Sequence, residues 1–129
     1  MLKDYKFDLK KKKIWVAGHN GMVGKAILEK LKNRKLSVLT VKKNDLDLTN
    51  QNQTFNWIKA NSPQVIFIAA AKVGGILTNS LNQFEFLYQN LMIQSNIIRS
   101  AAENNVQKLI FLGSSCIYPK EAKQPIKEE

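Results

Sequence analysis

The stretch Ile14-Trp15-Val16-Ala17-Gly18-His19-Asn20-Gly21-Met22-Val23-Gly24 restricts the fold more than any other part of this chain. A short apolar run enters three glycines at positions 18, 21 and 24, and a helix-period pattern follows. Strand, glycine turn and helix, in that order, are the parts of a dinucleotide-binding turn. The first glycine permits the tight turn, the second lets backbone approach a pyrophosphate, and the third lets the helix pack on the strand. The phosphates then lie at a helix N-terminus, where free N–H groups and the helix dipole favour negative charge. The spacing is G-x-x-G-x-x-G rather than G-x-G-x-x-G, and three glycines alone are a weak signal. The strand before and the helix after supply the context the reading needs.

In chain order, the spacing predicts a strand over Lys13–Ala17 and a helix over Met22–Asn33, with Val23, Ile27, Leu28 and Leu31 set for burial. A short mixed strand over 36–41 precedes the polar connection 42–50. A second helix over 51–60 turns Phe55 and Ile58 inward, and Asn61-Ser62-Pro63 stops it. The third strand, 65–70, is apolar on both faces, as a strand covered by helices on both sides is. Residues 72–80, with Gly74-Gly75, read as loop. A long helix then runs from 81 or 83 to 104, carrying Phe84, Leu87, Leu91, Ile97, Ile98 and Ala101. The fourth strand is 108–112, closed by Gly113-Ser114-Ser115, and 119–129 is polar without a period. No repeat of solenoid spacing occurs, and no low-complexity segment beyond the lysine run. Alternating strands and helices predict an α/β fold, a doubly wound parallel sheet of the Rossmann type with right-handed crossovers and four strands in the order 3-2-1-4. That order leaves the fourth strand as an uncovered apolar edge, which gives the chain the look of the front part of a larger fold.

The 129 residues suit one domain, a basic arm over 1–13 followed by the folded part over 14–129, and 44% of them are hydrophobic. The longest apolar run, 65–71, is far too short to span a membrane. The basic N-terminus has no apolar segment behind it, so it does not read as a secretory signal. Cys116 is the only cysteine, which excludes an internal disulfide and suits a reducing cytoplasm. His19 is the only histidine, so no His/Cys metal site is expected. The net charge of +10 raises nucleic-acid binding through Lys3, Lys6 and Lys10 to Lys13. Aromatics do not interleave with these lysines as a stacking platform requires, and a solvated lysine-rich arm is the preferred reading. Neither nucleic acid nor membrane is an expected partner. The excess charge still favours anionic ligands such as nucleotides.

In a dinucleotide site, a carboxylate at the end of the second strand receives the ribose hydroxyls and selects NAD, whereas a basic residue accepts the extra phosphate of NADP. Here Lys42 and Lys43 come first and Asp45 later, which favours NADP over two merely solvated lysines. Asn20 supplies no arginine-type clamp in the glycine loop. Asp47 with Leu48 either borders the adenine or, equally, caps the second helix.

Three stretches carry a more specific pattern: Gly18 to Gly24, Ala69-Ala70-Ala71-Lys72-Val73-Gly74-Gly75-Ile76, and Leu112-Gly113-Ser114-Ser115-Cys116-Ile117-Tyr118-Pro119-Lys120. With Tyr88-Gln89-Asn90-Leu91-Met92-Ile93-Gln94-Ser95-Asn96 they resemble the GDP-L-fucose synthase family, NADP-dependent 3,5-epimerase/4-reductases of the extended short-chain dehydrogenases, in which the glycine spacing seen here is common. The resemblance runs from Ile14 to the end of the chain. It implies that Gly18, His19, Asn20, Gly21, Met22, Val23 and Gly24 cradle the pyrophosphate, and that Lys43 stands where the family places a basic ligand of the 2′-phosphate. Asn44, Asp45, Leu46, Asp47 and Leu48 then continue along the adenosine half, and Leu112, Gly113, Ser114 and Ser115 pass under the nicotinamide side. Ser114 matches the catalytic serine that hydrogen-bonds the sugar's keto oxygen, Cys116 the cysteine that exchanges protons beside it, and Asn90 a helix asparagine that helps organise the active site.

These residue types suit that chemistry. A ketone acidifies its neighbouring carbons, so one residue removes a proton and another returns it on the opposite face. A hydroxyl donor holds the enolate oxygen, and a thiol titrates nearer neutrality than a serine hydroxyl. The family's Tyr-x-x-x-Lys pair has no match, since Met92 stands four residues after Tyr88 and Ala122 four after Tyr118. That pair, a second acid/base histidine and the sugar-binding domain are expected beyond residue 129. The resemblance therefore implies the N-terminal cofactor part of such an enzyme, inactive alone, with a GDP-sugar as substrate and a homodimer when complete. Two other readings stand beside it: another NAD(P)-dependent sugar-nucleotide epimerase, dehydratase or reductase, or a non-catalytic nucleotide-binding module that docks through its long helix.

Overall fold

The computed structural model describes residues 7–114 and 117–127. It contains β1 (Lys13–Ala17), α1 (Met22–Asn33), β2 (Ser37–Leu39), α2 (Gln51–Asn61), β3 (Val65–Ile68), α3 (Ile76–Leu81), α4 (Gln83–Glu103) and β4 (Lys108–Phe111). All strand pairings are parallel, as the alternation of strands and helices requires. Side chains of β1 alternate between two apolar layers. Ile14 and Val16 join Leu31 and Val65, with Ile27 of α1 packed against them. Trp15 and Ala17 face Ile58 of α2 and Ile97 and Ala101 of α4. The sheet is therefore covered by α1 on one face and by α2 and α4 on the other. In the second layer the rings of Trp15 and Trp57 lie 4.5 Å apart at 39°.

The strand order is β2-β1-β3-β4, not the expected 3-2-1-4. The expected order places the third strand at an edge beyond the second. Val65, Ile66 and Ile68 are instead buried on both faces, and an interior position between β1 and β4 is what such a strand needs. β2 is only three residues long, has an exposed Ser37, and takes the edge. The polar connection after it forms turns, with Asp45 N–H and Leu46 N–H both donating to the Lys42 carbonyl. β4 is the other edge, as expected, with Leu109 and Ile110 half-buried and Phe111 exposed.

Four further differences concern local structure. Residues 76–81 form α3 rather than loop. Gly75 serves as its N-cap, but the helix buries none of its residues, so no apolar period announces it. Val23 is 47% exposed where burial was expected, because Gly24 is the residue of that turn that faces the strand. Phe84, Leu87, Leu91 and Ile98 stand on an exposed face of α4, and its buried residues are Phe86, Asn96, Ile97, Ser100 and Ala101. Phe7 and Leu9 pack on the layer of Ile14 and Val16, so the core draws on part of the segment read as an arm. Lys3 and Lys6 lie outside the described residues. No helix among the described residues is long and apolar enough to cross a membrane.

The end of α1 sets how the chain returns to the sheet. Lys35 N–H donates to the Lys32 carbonyl and Leu36 N–H to the Leu31 carbonyl, with Lys35 at φ 54°. This is a Schellman closure with lysine in the left-handed position that glycine prefers. Lys35→Gly relieves that conformation, and urea denaturation is expected to show a gain of about 0.5–1 kcal/mol.

Candidate dinucleotide site

Ligands of open α/β sheets bind beyond the carboxyl ends of the strands, where neighbouring crossovers leave on opposite faces. In the order β2-β1-β3-β4 that point falls between β1 and β3. A cleft of about 750 Å³ opens there, within the range of small-molecule sites. Three segments wall it: the glycine turn after β1, residues 43–49 after β2, and residues 69–73 after β3, with Gln89 and Ile93 of α4 behind.

The glycines divide into two kinds. Gly18 has φ +86°, and a Cβ there would stand 2.5 Å from Ala70 N. A Cβ on Gly24 would stand 2.1 Å from the Gly18 carbonyl oxygen. Both positions are dictated by the packing of the chain itself. At Gly21 the nearest atom to an added Cβ is that same carbonyl oxygen, at 3.4 Å. The packing of the chain therefore does not demand glycine at 21. Gly21 is the N-cap of α1, which has no side-chain cap and no acidic residue in its first turn. The first-turn N–H groups have no acceptor within the helix and suit a phosphate group.

The opposite wall is held by side-chain caps. Asp47 Oδ1 accepts from Thr49 Oγ1 at 2.7 Å and from Thr49 N at 2.9 Å, while Asp47 N–H donates to Gln53 Oε1 at 3.2 Å. The Thr49 hydroxyl, then its amide, hold the Asp47 carboxyl below the usual aspartate range against a small opposing effect of burial, and Lys43 adds to the lowering. Asp47 is thus an anion at neutral pH, and the support it gives this turn fades only as pH falls through the lowered pKa. The N-cap of α2 is Asn50, whose Oδ1 accepts from Gln53 N at 3.0 Å. The capping alternative for Asp47 is therefore set aside, because Asn50 fills that place and Asp47 borders the cleft.

Of the residues singled out in the sequence, Gly18, His19, Asn20, Gly21, Lys43, Asn44, Leu46, Asp47 and Leu48 line the cleft together. Met22 is 86% exposed, Val23 is exposed, and Gly24 lies beneath Gly18, so these three border the turn without lining the cleft. Asp45 sits in the turn closed on Lys42, off the wall. Leu112 N–H donates to the Ile68 carbonyl at 3.4 Å, and Gly113 and Ser114 follow one strand away from the cleft. The Ser114 carbonyl accepts from Ile117 N–H at 3.3 Å. Ser115 and Cys116 lie outside the described residues. Asn90 grips the backbone of Lys72 at both groups, with Oδ1 accepting from its N–H at 2.8 Å and Nδ2 donating to its carbonyl at 3.0 Å. The Lys72 ammonium lies 3.4 Å from Glu85 and over the Phe86 ring. Ala69 to Val73 and Gln89 were not assigned as site residues from sequence. The rule that strand ends carry the site, applied to the third strand, finds the first of these.

The two kinds of glycine make opposite predictions. Gly24→Ala should cost about 3 kcal/mol or unfold the protein, because the added methyl meets backbone. Gly21→Ala should cost no more than about 1 kcal/mol, the cap preference alone. It should nevertheless weaken binding of a nicotinamide dinucleotide about tenfold or more by calorimetric titration, since the methyl occupies the approach to the turn.

Comparison with known proteins extends this geometry. Residues 14–129 match the NAD dependent epimerase/dehydratase family. GDP-L-fucose synthase of Sinorhizobium fredii is 48% identical over 118 residues, 92% of this chain and 38% of the relative. GDP-L-fucose synthase of Escherichia coli is 46% identical over 121 residues, 93% of this chain and 38% of the relative. The solved GDP-D-glycero-L-gluco-heptose synthase of Campylobacter jejuni, determined in the presence of NADPH, superposes with a TM-score of 0.86 at 37% identity over 94% of this chain and 35% of its own. The chain thus spans about two fifths of the length of these relatives. With a strand, a glycine turn and a helix closing one wall of a cleft at the strand ends, and with that match over nearly its whole length, the chain belongs to the NAD dependent epimerase/dehydratase family.

Proposed function

We propose that these residues form the N-terminal, NADP-binding part of a GDP-4-keto-6-deoxy-mannose 3,5-epimerase/4-reductase, an enzyme of GDP-L-fucose synthesis. The observation that carries the reading is the placing of Lys43 and the glycine turn on walls of one cleft. The backbone of Gly21 and the first turn of α1 hold the pyrophosphate, and the Lys43 ammonium meets the 2′-phosphate of the adenosine half. Asp47, ionised, accepts from the adenine amino group. Identity of 48% and 46% to two GDP-L-fucose synthases over 92% and 93% of this chain supports the assignment of a GDP-sugar as substrate.

When bound, the nicotinamide supplies the hydride that reduces the sugar's keto group. The residues assigned to proton chemistry are Ser114, holding the keto oxygen, and Cys116, exchanging a proton on the neighbouring carbon; both assignments rest on the resemblance of 112–120. Asn90 steadies the loop after β3 through its two bonds to Lys72. The 129 residues hold no Tyr-x-x-x-Lys pair, so this stretch by itself binds cofactor and turns over no sugar. Exposed Phe84, Leu87, Leu91 and Ile98 on α4 support a homodimer of the complete enzyme. A single cysteine and nucleotide chemistry fit the cytoplasm.

Lys43→Gln tests the choice of cofactor. Calorimetric titration should show NADPH binding weakened about 10- to 100-fold, the worth of a charge-assisted bond to phosphate, with NADH binding changed less than about twofold. Equal losses for the two nucleotides would remove Lys43 from the 2′-phosphate.

A further inference from the structure

Among the described residues, the buried polar side chains are Thr54, Asn96 and Ser100. Two of them converge on one backbone carbonyl. Asn96, on α4 and 5% exposed, donates through Nδ2 to the Leu48 carbonyl and to the Thr49 carbonyl, at 3.0 Å each. Thr54, on α2 and fully buried, reaches the same Leu48 carbonyl through Oγ1 at 3.4 Å. An apolar side chain would fill either place without needing a partner, so the donors themselves have a use. The carbonyls they engage belong to residues that line the cleft.

Apolar packing holds the middle of that wall, since Leu46 is buried in the layer of Trp15 and Ile58 and Leu48 packs against it. Residues 42–50 form no strand, and their backbone bonds close short turns among themselves: Asp45 and Leu46 on Lys42, and Asn50 on Asp47. Such turns shape the segment locally; burial of Leu46 anchors its middle to the sheet, and polar side chains fix the backbone that follows. Gln53 holds Asp47 N–H from α2, and Asn96 holds the next two carbonyls from α4. We propose that Asn96, backed by Thr54, is a positioning residue that sets the adenosine wall of the site. By fixing the Leu48 and Thr49 carbonyls to α4, it determines where the Asp47 carboxylate and the Lys43 ammonium stand. Asn90, one and two-thirds turns earlier on the same helix, does the same for Lys72 on the wall after β3. One helix thereby registers both walls against each other. The role assigned to Asn96 rests on the dinucleotide reading of the cleft; the bonds themselves do not.

Asn96→Leu keeps the approximate shape and removes both donors. Two readouts are taken on the whole chain: calorimetric affinity for adenosine 2′,5′-bisphosphate, and amide hydrogen exchange residue by residue. The expected result is affinity about tenfold weaker with exchange faster over 46–50 and unchanged in β1 and β3. Unchanged affinity overturns the proposal. Faster exchange throughout β1 and β3 alongside the weaker binding also overturns it, since Asn96 is then an ordinary core residue. If Asn96→Leu does not fold, Thr54→Val is read the same way. A smaller loss confined to 46–50 supports the role, and wild-type behaviour in both readouts overturns it. Failure of the unmodified chain to bind the bisphosphate defeats the dinucleotide reading instead, and is told apart because exchange over 46–50 still reports the clamp.

Discussion

The contact between Gly24 and the carbonyl of Gly18 is the constraint on which the rest of the structure depends. Helix α1 approaches β1 so closely that no side chain fits between them, since a Cβ on Gly24 would stand 2.1 Å from that oxygen. Gly18 in turn presses on the backbone of Ala69 and Ala70 after β3, at a backbone angle that L side chains rarely adopt. Two glycines therefore bring together the end of β1, the start of α1 and the end of β3. The uncapped N-terminus of α1 is thereby fixed at the edge of the cleft, which Gly21 lines. The third glycine, Gly21, is under no such compulsion from the protein.

The sheet completes the site by its order. β1 and β3 are apolar on both faces and lie side by side in the middle, so their carboxyl ends make the floor. β2, short and polar at its start, is confined to the edge, and the segment that leaves it has to fold back over the floor. Nothing in that segment is regular. Its position rests on the burial of Leu46 in the core and on side-chain hydrogen bonds, from Gln53, Thr54 and Asn96 on the helices and between Asp47 and Thr49 within the segment. One wall is built by backbone packing, and the other by burial of Leu46 together with side-chain hydrogen bonds. In the first wall, Gly18 and Gly24 are fixed by the packing of the chain and Gly21 is not.

Local elements with strong patterns were legible in the sequence. The strand at Lys13–Ala17 and the helix at Met22–Asn33 have the bounds that their apolar periods and the glycine turn suggest. The cleft was legible where it depends on that turn and on Lys43 to Leu48. Strand order was not, because which neighbour a strand chooses depends on two-sided burial that a period along one strand does not report. The burial of 65–68 on both faces, itself readable, argues for the interior place it occupies. α3 escaped notice because it buries nothing. Asn96 escaped notice for a different reason, and Asn90 was reached only through the family resemblance: each acts on a backbone group at least 18 positions away, which no local pattern encodes. The stripe on α4 reads from its spacing as core or as a dimer interface, and spacing alone does not say what a helix face meets.

The most direct measurement is an amide nitrogen–proton correlation spectrum of the chain, titrated with NADP. If one dinucleotide spans the cleft, the largest shifts fall on two separated groups, 18–24 in the glycine turn and 43–49 after β2, at one common saturation point. They leave α2 and the far end of β4 nearly unmoved. Shifts confined to the lysines of 10–13, or a response in the glycine turn without one in 43–49, would contradict that mode of binding.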